Sequence, residues 1–254
     1  GDGPHFDGLR AAYSFFLVTF AVNFIILYRG LTKGIEKFCE WALPLLFIAA
    51  VILMFKVFTL GAPVNPEWTP STGMAFFWNP DFSKLKDIRV WLEATGQVFF
   101  TISVCIGCIL TYSSYLKSKQ DVALSSVTAA SMNEFAEVIL GGSIVITAAV
   151  CFFGTAGAAA QAGGGTFGLG FKTMPLIFNQ MSGGVFFGFV WFMLLFLAGI
   201  TSSISLLQPV IVFIEEEFRL TRRQAVVALA AVSFAVAHLC IFSGIVLDEM
   251  DFWF

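Results

Sequence analysis

Long uncharged apolar segments, separated by short charged clusters, make up most of the chain. One runs from Ala11 to Tyr28 between two arginines, and another runs from Ala94 to Leu116 without a single charge. About 20 apolar residues are enough to cross a lipid bilayer as a helix. The pattern predicts six spanning helices, at about residues 11–30, 37–60, 90–116, 122–153, 184–216 and 222–243.

Two longer segments, residues 61–89 and 154–183, join these spans. The first contains four prolines, so we expect it to be ordered by turns rather than by a helix. The second combines glycine and alanine with Phe and Leu, which predicts a lid that tucks back into the protein. Its glycine run, Gly163–Gly170, lacks the Gly-Lys-Ser/Thr ending of a phosphate-binding loop, which argues against a nucleotide site.

The distribution of Lys and Arg predicts the orientation of the spans. Three alternate loops carry basic clusters, at Arg29–Lys37, Lys117–Lys119 and Arg219–Arg223. Loops rich in Lys and Arg stay in the cytoplasm, so these loops are assigned to the inside. The first residue then lies on the outside of the cell membrane. The basic residues of 61–89 run against this assignment and are partly offset by Asp81 and Asp87.

Composition supports lipid as the solvent of this chain. Hydrophobic residues make up 58% and charged residues 12%, against about 25% charged residues in a soluble domain. A net charge of -3 without a basic run gives no sign of a nucleic-acid partner. We predict an all-α integral membrane protein whose residues 1–254 form one partial transmembrane domain. The chain starts without Met and ends on an aromatic run, so we expect it to be an internal piece of a longer protein.

A Cys-x-x-Cys motif, Cys105 to Cys108, lies inside the third span. A redox site needs an accessible pair of cysteines at a helix start in a soluble fold, and this context is missing. Thr101, Ser103, Cys105 and Gly107 instead alternate, which is not helical periodicity, and Gly107 with its β-branched neighbours would tolerate a break. A helix broken at membrane depth is acceptable where its backbone groups line a site. A continuous helix with small residues at a packing face remains the alternative.

Polar groups inside the other spans are candidates for an ion site, because such groups are costly in lipid. Asn133 and Glu137 are four residues apart and share one helix face. An amide oxygen beside a carboxylate suits a hard cation, although the pair could equally bond neighbouring helices. Hydroxyls cluster in residues 201–205, where bonding to their own helix is the alternative.

Together these residues resemble a known family. The strings are RGLTKGIEKF, PDFSKLKD, GQVFFTIS…TYSSYL, SSVTAASMNEFAEVILGGSI, GLGFKTMP, AGITSSIS…QP and LDEMDFW. They cover nearly the whole chain and are similar to the neurotransmitter:sodium symporter family, in its bacterial amino-acid branch. The resemblance implies part of a leucine-transporter-type inverted-repeat fold, helices four to nine, with helix six broken. It also implies a transporter and not an enzyme.

The resemblance assigns roles to individual positions. The first sodium site takes Thr101 and Asn133, and the second takes the Ala198 carbonyl, Thr201 and Ser202. The substrate wall comprises Phe100, Ser103, Ile106, Ser202 and Leu206. The outer gate includes Gln97 and Asp251, and the inner gate includes Tyr115, Gln208 and Glu216.

Glu137 is the most informative of these positions. Chloride-dependent members of the family carry serine there, so a carboxylate implies chloride independence, with proton counter-movement as a further hypothesis. The family often has glycine at Cys105 and an aromatic residue at Ile106, so the substrate pocket differs in size. Glu216 stands where the family has aspartate, which alters the reach of the charge.

The implied activity is sodium-coupled symport of an amino acid or related small solute by alternating access, with Na+ as the coupling ion. Two alternatives stay open: a membrane sensor of the same fold that binds without transport, and a symporter of an amine or osmolyte.

Overall fold

The apolar segments form α-helices in the computed structural model, which describes residues 9–104, 106–117, 119–163 and 165–243. The helices are α1 (Leu9–Tyr28), α2 (Lys37–Phe58), α3 (Pro70–Trp78), α4 (Ile88–Thr101), α5 (Cys108–Ser113), α6 (Val122–Glu134), α7 (Ser143–Ala162), α8 (Gly165–Gly168), α9 (Met174–Gln180), α10 (Gly184–Glu217) and α11 (Arg222–Phe242). The described residues contain no β-strand.

Several of these helices have the length and composition of membrane spans. Within the described residues four helical stretches qualify, namely Leu31–Phe58, Val122–Ala162, Gly184–Glu217 and Arg222–Phe242, and Tyr13–Tyr28 is a shorter apolar helix. Large side chains such as Phe15, Phe55 and Phe189 are exposed on their surfaces. Exposed phenylalanines on spanning helices are expected where the solvent is lipid. The predicted all-α membrane architecture is confirmed.

The predicted break in the third span is also confirmed. α4 ends at Thr101, and the helix resumes as α5 only at Cys108. Ser103 and Gly107 in the gap have left-handed backbone conformations, with φ angles of 55° and 87°. Glycine adopts this conformation without a steric penalty, which explains why α5 starts immediately after Gly107. The alternative of a continuous helix through residues 90–116 is therefore wrong.

The fourth span contains an irregularity that its sequence pattern does not reveal. α6 leads into a π-helical turn, Phe135–Gly142, and this turn leads into α7. π-helical turns are rare and frequently occur at functional sites. Near its middle α7 is kinked at Gly154, where φ is 70°. The Trp68 ring covers this kink, since a Cβ at Gly154 would lie 2.7 Å from Trp68 Cε2.

The prediction that residues 61–89 lack a helix is wrong. α3 begins at Pro70, whose missing N–H is no loss in the first helical turn. Thr69 caps this helix, because its Oγ1 accepts a hydrogen bond of 3.2 Å from the Thr72 amide. A 3-10 helix, Phe82–Lys86, follows and is capped by Asp81. Pro70 therefore marks a helix start rather than a turn.

Residues 154–183 are also largely helical and return to the interior of the protein. They include the end of α7, the short helix α8, a π-helical turn at Leu169–Thr173, and α9. Met174, Ile177 and Phe178 are buried in a cluster with side chains of α2, α7 and α10. Trp191 of α10 donates its indole N–H to the Gly170 carbonyl over 3.1 Å.

The chain divides into two compact units, each with its own packing. The first comprises the described residues of 1–40, 107–114 and 200–254, and the second comprises 41–106 and 115–199. In the first unit α1 packs on α11, with Phe20 and Phe234 ring centroids 5.3 Å apart. The core of the second unit contains Leu53, Ile144 and Trp191.

Candidate ion and substrate site

Two pairs of polar residues meet in the second unit. Gln97 and Thr101 are four residues apart near the end of α4, and Asn133 and Glu137 are four residues apart across the end of α6. Residues with this spacing share one helix face. The structure brings the two faces together, so that all four side chains form one hydrogen-bonded cluster.

The hydrogen bonds of this cluster all lead toward Glu137. Asn133 Nδ2 donates to Thr101 Oγ1 over 2.8 Å, and Thr101 Oγ1 in turn donates to Glu137 Oε2. Gln97 Nε2 donates to Glu137 Oε1 over 2.5 Å. Each carboxylate oxygen of Glu137 therefore accepts one hydrogen bond.

Asn133 and Glu137 lie in different local structure. Asn133 belongs to the last turn of α6, whereas Glu137 is the third residue of the π-helical turn Phe135–Gly142. Thr101 and Asn133 are half-buried, and Gln97 and Glu137 are exposed in the described part of the chain.

Hydroxyl groups of α10 form the second candidate region. Thr201 is half-buried and Ser202 is exposed, within one helical turn after Ala198. In the first unit the buried positions of α10 form a stripe that consists of Ile200, Ile204, Gln208 and Ile211. Ser202 and Leu206 are exposed and lie away from this stripe.

The predicted substrate residues of the second unit lie at the helix break. Phe100 is in the last turn of α4, and Ser103 and Ile106 are in the non-helical gap that follows. Phe100 and Ile106 are 62% and 42% exposed. Cys105 lies outside the described residues. The Cys108 thiol is buried in the first unit, where it donates to the Ser205 carbonyl over 3.3 Å.

The residues predicted for the gates are found in different environments. Gln208 is fully buried and accepts a hydrogen bond of 2.8 Å from Arg222 Nη2. Arg222 also lies 3.8 Å from a carboxylate oxygen of Glu215, while Glu216 and Tyr115 are exposed. Gln97 contacts Glu137, and its predicted partner at the outer gate, Asp251, lies outside the described residues.

Several polar contacts of the first unit are not among those predicted from the sequence. Asn23 Nδ2 of α1 donates to Ser203 Oγ of α10 over 2.7 Å, and the Tyr13 hydroxyl lies 2.9 Å from His238 Nε2 of α11. The signal for both was an isolated polar residue within an apolar span. The sequence predicts for Arg222 only a place in the basic cluster Arg219–Arg223, whereas its side chain also contacts Gln208.

An all-α membrane protein with one helix interrupted at mid-length and polar side chains gathered beside the break has the architecture of a secondary transporter. Comparison with known proteins gives the particular family. The model of the sodium:neurotransmitter symporter family matches residues 10–250. The chain therefore belongs to the sodium:neurotransmitter symporter family.

Individual relatives agree with this assignment. The chain is 29% identical over 218 residues to an uncharacterized sodium-dependent transporter of Haemophilus influenzae, covering 86% of this chain and 44% of that protein. It is 25% identical to the sodium-dependent serotonin transporter of Drosophila melanogaster, over 77% of this chain and 31% of that protein. The crystal structure of MhsT in complex with L-phenylalanine matches with a TM-score of 0.70 and 30% identity, covering 85% of this chain and 46% of MhsT.

These comparisons confirm several predictions made from the sequence. The predicted family and the leucine-transporter-type fold are confirmed. The family is one of transporters, so the prediction that the chain is not an enzyme is confirmed as well. The chain spans a little less than half the length of the H. influenzae relative and of MhsT.

Proposed function

We propose that the complete protein is a sodium-coupled, chloride-independent symporter of an amino acid or a related small solute. Na+ moves down its gradient, substrate binds at the broken helix, and alternating access carries both across the membrane. Membership of the sodium:neurotransmitter symporter family supports sodium coupling. The L-phenylalanine bound to MhsT supports an amino acid as substrate.

The observation that carries the proposal is the convergence of donors on Glu137. Gln97 and Thr101 each donate to one of its carboxylate oxygens. Hydrogen-bond donors beside a cation site require a negative charge nearby. If the protein did not supply that charge, a mobile anion such as chloride would have to bind there. Here the carboxylate supplies that charge from within the chain, so no chloride ion is needed.

The side chains around Glu137 suit Na+ as a transported ion. Sodium binds to oxygen ligands, and Thr101 and Asn133 offer a hydroxyl and an amide oxygen next to a negative charge. We assign the first sodium site to these two residues. The Ala198 carbonyl, Thr201 and Ser202 offer the same kind of ligand on α10, and we assign the second sodium site to them.

The substrate and gate assignments belong to the same proposal. Phe100, Ser103 and Ile106 at the break are candidates for substrate contacts, as are Ser202 and Leu206 on α10. Gln97 and Asp251 are candidates for the outer gate, and Tyr115, Gln208 and Glu216 are candidates for the inner gate. We also propose a cell-membrane location with the first residue outside, as the basic loops indicate.

Uptake into liposomes tests this function. The intact protein is reconstituted, and labelled amino acids are offered with an inward gradient of either Na+ or K+. The proposal predicts uptake with Na+ only. Na+-dependent binding without uptake would identify a sensor of the same fold. Na+-driven uptake of an amine or osmolyte, with no uptake of amino acids, would show that the substrate is not an amino acid.

A further inference from the structure

Asn23 is a buried amide within the apolar helix α1. Its side chain is 9% exposed, and its Nδ2 atom donates to Ser203 Oγ of α10 over 2.7 Å. Its Oδ1 atom is buried and has no hydrogen-bond partner within the described residues. A buried polar group of this kind is costly in an apolar span, so its presence points to a role beyond packing.

A second polar contact, made by Arg222 of α11, joins α1 and α10 four to five residues after the contact of Asn23 with Ser203. Arg222 donates through Nε to the Leu27 carbonyl of α1 and through Nη2 to Gln208 of α10. Leu27 follows Asn23 by four residues, and Gln208 follows Ser203 by five, so α1 and α10 run in the same direction here. The Arg222 contact holds the helices together independently of Asn23.

The Asn23 contact also bears on the rotation of α10 about its axis. Successive residues of an α-helix differ by about 100° in direction, so Ser203 faces α1 while Ser202 points elsewhere. Ile200 and Ile204 are buried on the same helix, so the hydrogen bond from Asn23 to Ser203 acts together with them to limit the rotation of α10 about its axis. This rotation determines the direction of the neighbouring Thr201 and Ser202 hydroxyls.

We propose that Asn23 is a positioning residue for sodium binding. It does not touch the ion; through Ser203 it holds α10 in the rotation that presents the Thr201 and Ser202 hydroxyls as ligands. The inference rests on the proposed function, in which these two hydroxyls bind Na+. It adds a residue of α1 that neither the motifs of the sequence nor the assigned ligands include.

The test compares the Na+ concentration for half-maximal substrate binding among variants of the intact protein. Asn23→Leu keeps the shape of the side chain and removes the unpaired Oδ1 acceptor, so folding is retained. Ser203→Ala removes the other partner. We expect each variant to raise the half-saturating Na+ concentration about threefold, the ratio that corresponds to ~0.6 kcal/mol for an interhelical hydrogen bond in a membrane.

Two controls make the result specific. The double variant should be no worse than either single variant, because both remove the same bond. Tyr13→Phe removes a different hydrogen bond of α1, the one to His238, and should leave the Na+ dependence unchanged. Folding of every variant is checked by its melting temperature.

Unaltered Na+ dependence in Asn23→Leu and Ser203→Ala would overturn the inference, and so would additive effects in the double variant. Ser202→Ala is measured in parallel to separate the two proposals. If Ser202→Ala weakens Na+ binding while Asn23→Leu does not, the sodium site stands and only the positioning role fails. If Ser202→Ala has no effect, the sodium assignment fails, and the inference that rests on it fails as well.

Discussion

Glu137 and Asn133 show how single residues define the ion site proposed for this protein. Asn133 donates to Thr101, and Thr101 donates to Glu137, so each side chain orients the next. The Thr101 hydroxyl has one proton, and that proton is directed at the carboxylate. In the proposed site, the Thr101 hydroxyl oxygen and the Asn133 amide oxygen would be the ligands of Na+ beside the Glu137 carboxylate.

Replacing Asn133 by Ala should weaken sodium binding. The change removes one proposed ligand and also the donor that orients the Thr101 hydroxyl. We expect the half-saturating Na+ concentration for substrate binding to rise by at least roughly tenfold, as for loss of ordering groups at other metal sites. Glu134→Ala, one residue along the same helix, is the matched control. An equal effect of the two substitutions would contradict the assignment.

At the scale of the elements, irregular backbone occurs where polar side chains gather. The break between α4 and α5 lies beside Thr101, and the π-helical turn Phe135–Gly142 contains Glu137. Glycines also permit close packing near this turn. A Cβ on Gly73 of α3 would lie 2.8 Å from Thr147 Cα of α7, so α3 rests directly on the backbone of α7.

Gly73→Ala should destabilise the protein through this contact. The added methyl group meets backbone atoms, which cannot move aside as a flexible side chain can. We expect the free energy of unfolding to fall by about 1–3 kcal/mol, read as a lower melting temperature in detergent. Gly188→Ala is the control, because its Cβ would meet Phe178 at an ordinary 3.7 Å. An unchanged melting temperature for Gly73→Ala would show that α3 is not docked in this way.

Gly107→Ala tests the conformation of the break itself. The added Cβ has room, with Pro209 Cβ 3.8 Å away, so the effect comes from the left-handed backbone. We expect a loss of roughly 1–2 kcal/mol for Ala and less for Asn, which tolerates this conformation better. The order Gly, Asn, Ala should therefore appear in both the melting temperature and the rate of uptake. Equal values for all three residues would argue against a left-handed Gly107.

Part of this picture could be predicted from local patterns, and part depends on tertiary contacts. Gly107 and the nearby hydroxyls predicted the break, since glycine favours an irregular backbone. The pair Asn133 and Glu137 was visible from its spacing of four. The contact of Gln97 with Glu137 was not visible, because it joins α4 to a π-helical turn that no periodicity reveals. The helix at Pro70 differs from this case, because its start signal is local: Thr69 caps the helix and Pro70 follows in its first turn.

Across the whole molecule, the chain divides into two compact units, and each unit consists of separate segments of the chain. The break divides α4 from α5, and α10 extends through both units, with residues up to 199 in the second unit and residues from 200 onward in the first. The Thr201 and Ser202 hydroxyls proposed as sodium ligands belong to the part of α10 in the first unit.

The chloride dependence of sodium-driven uptake in reconstituted liposomes tests the role of Glu137 most sharply. Chloride is replaced by gluconate while the Na+ gradient is kept constant. We expect uptake by the wild-type protein to be unchanged, because the Glu137 carboxylate supplies the negative charge. We expect the Glu137→Ser variant to take up substrate only when chloride is present. A fall in wild-type uptake on removal of chloride would show that Glu137 does not replace a chloride ion.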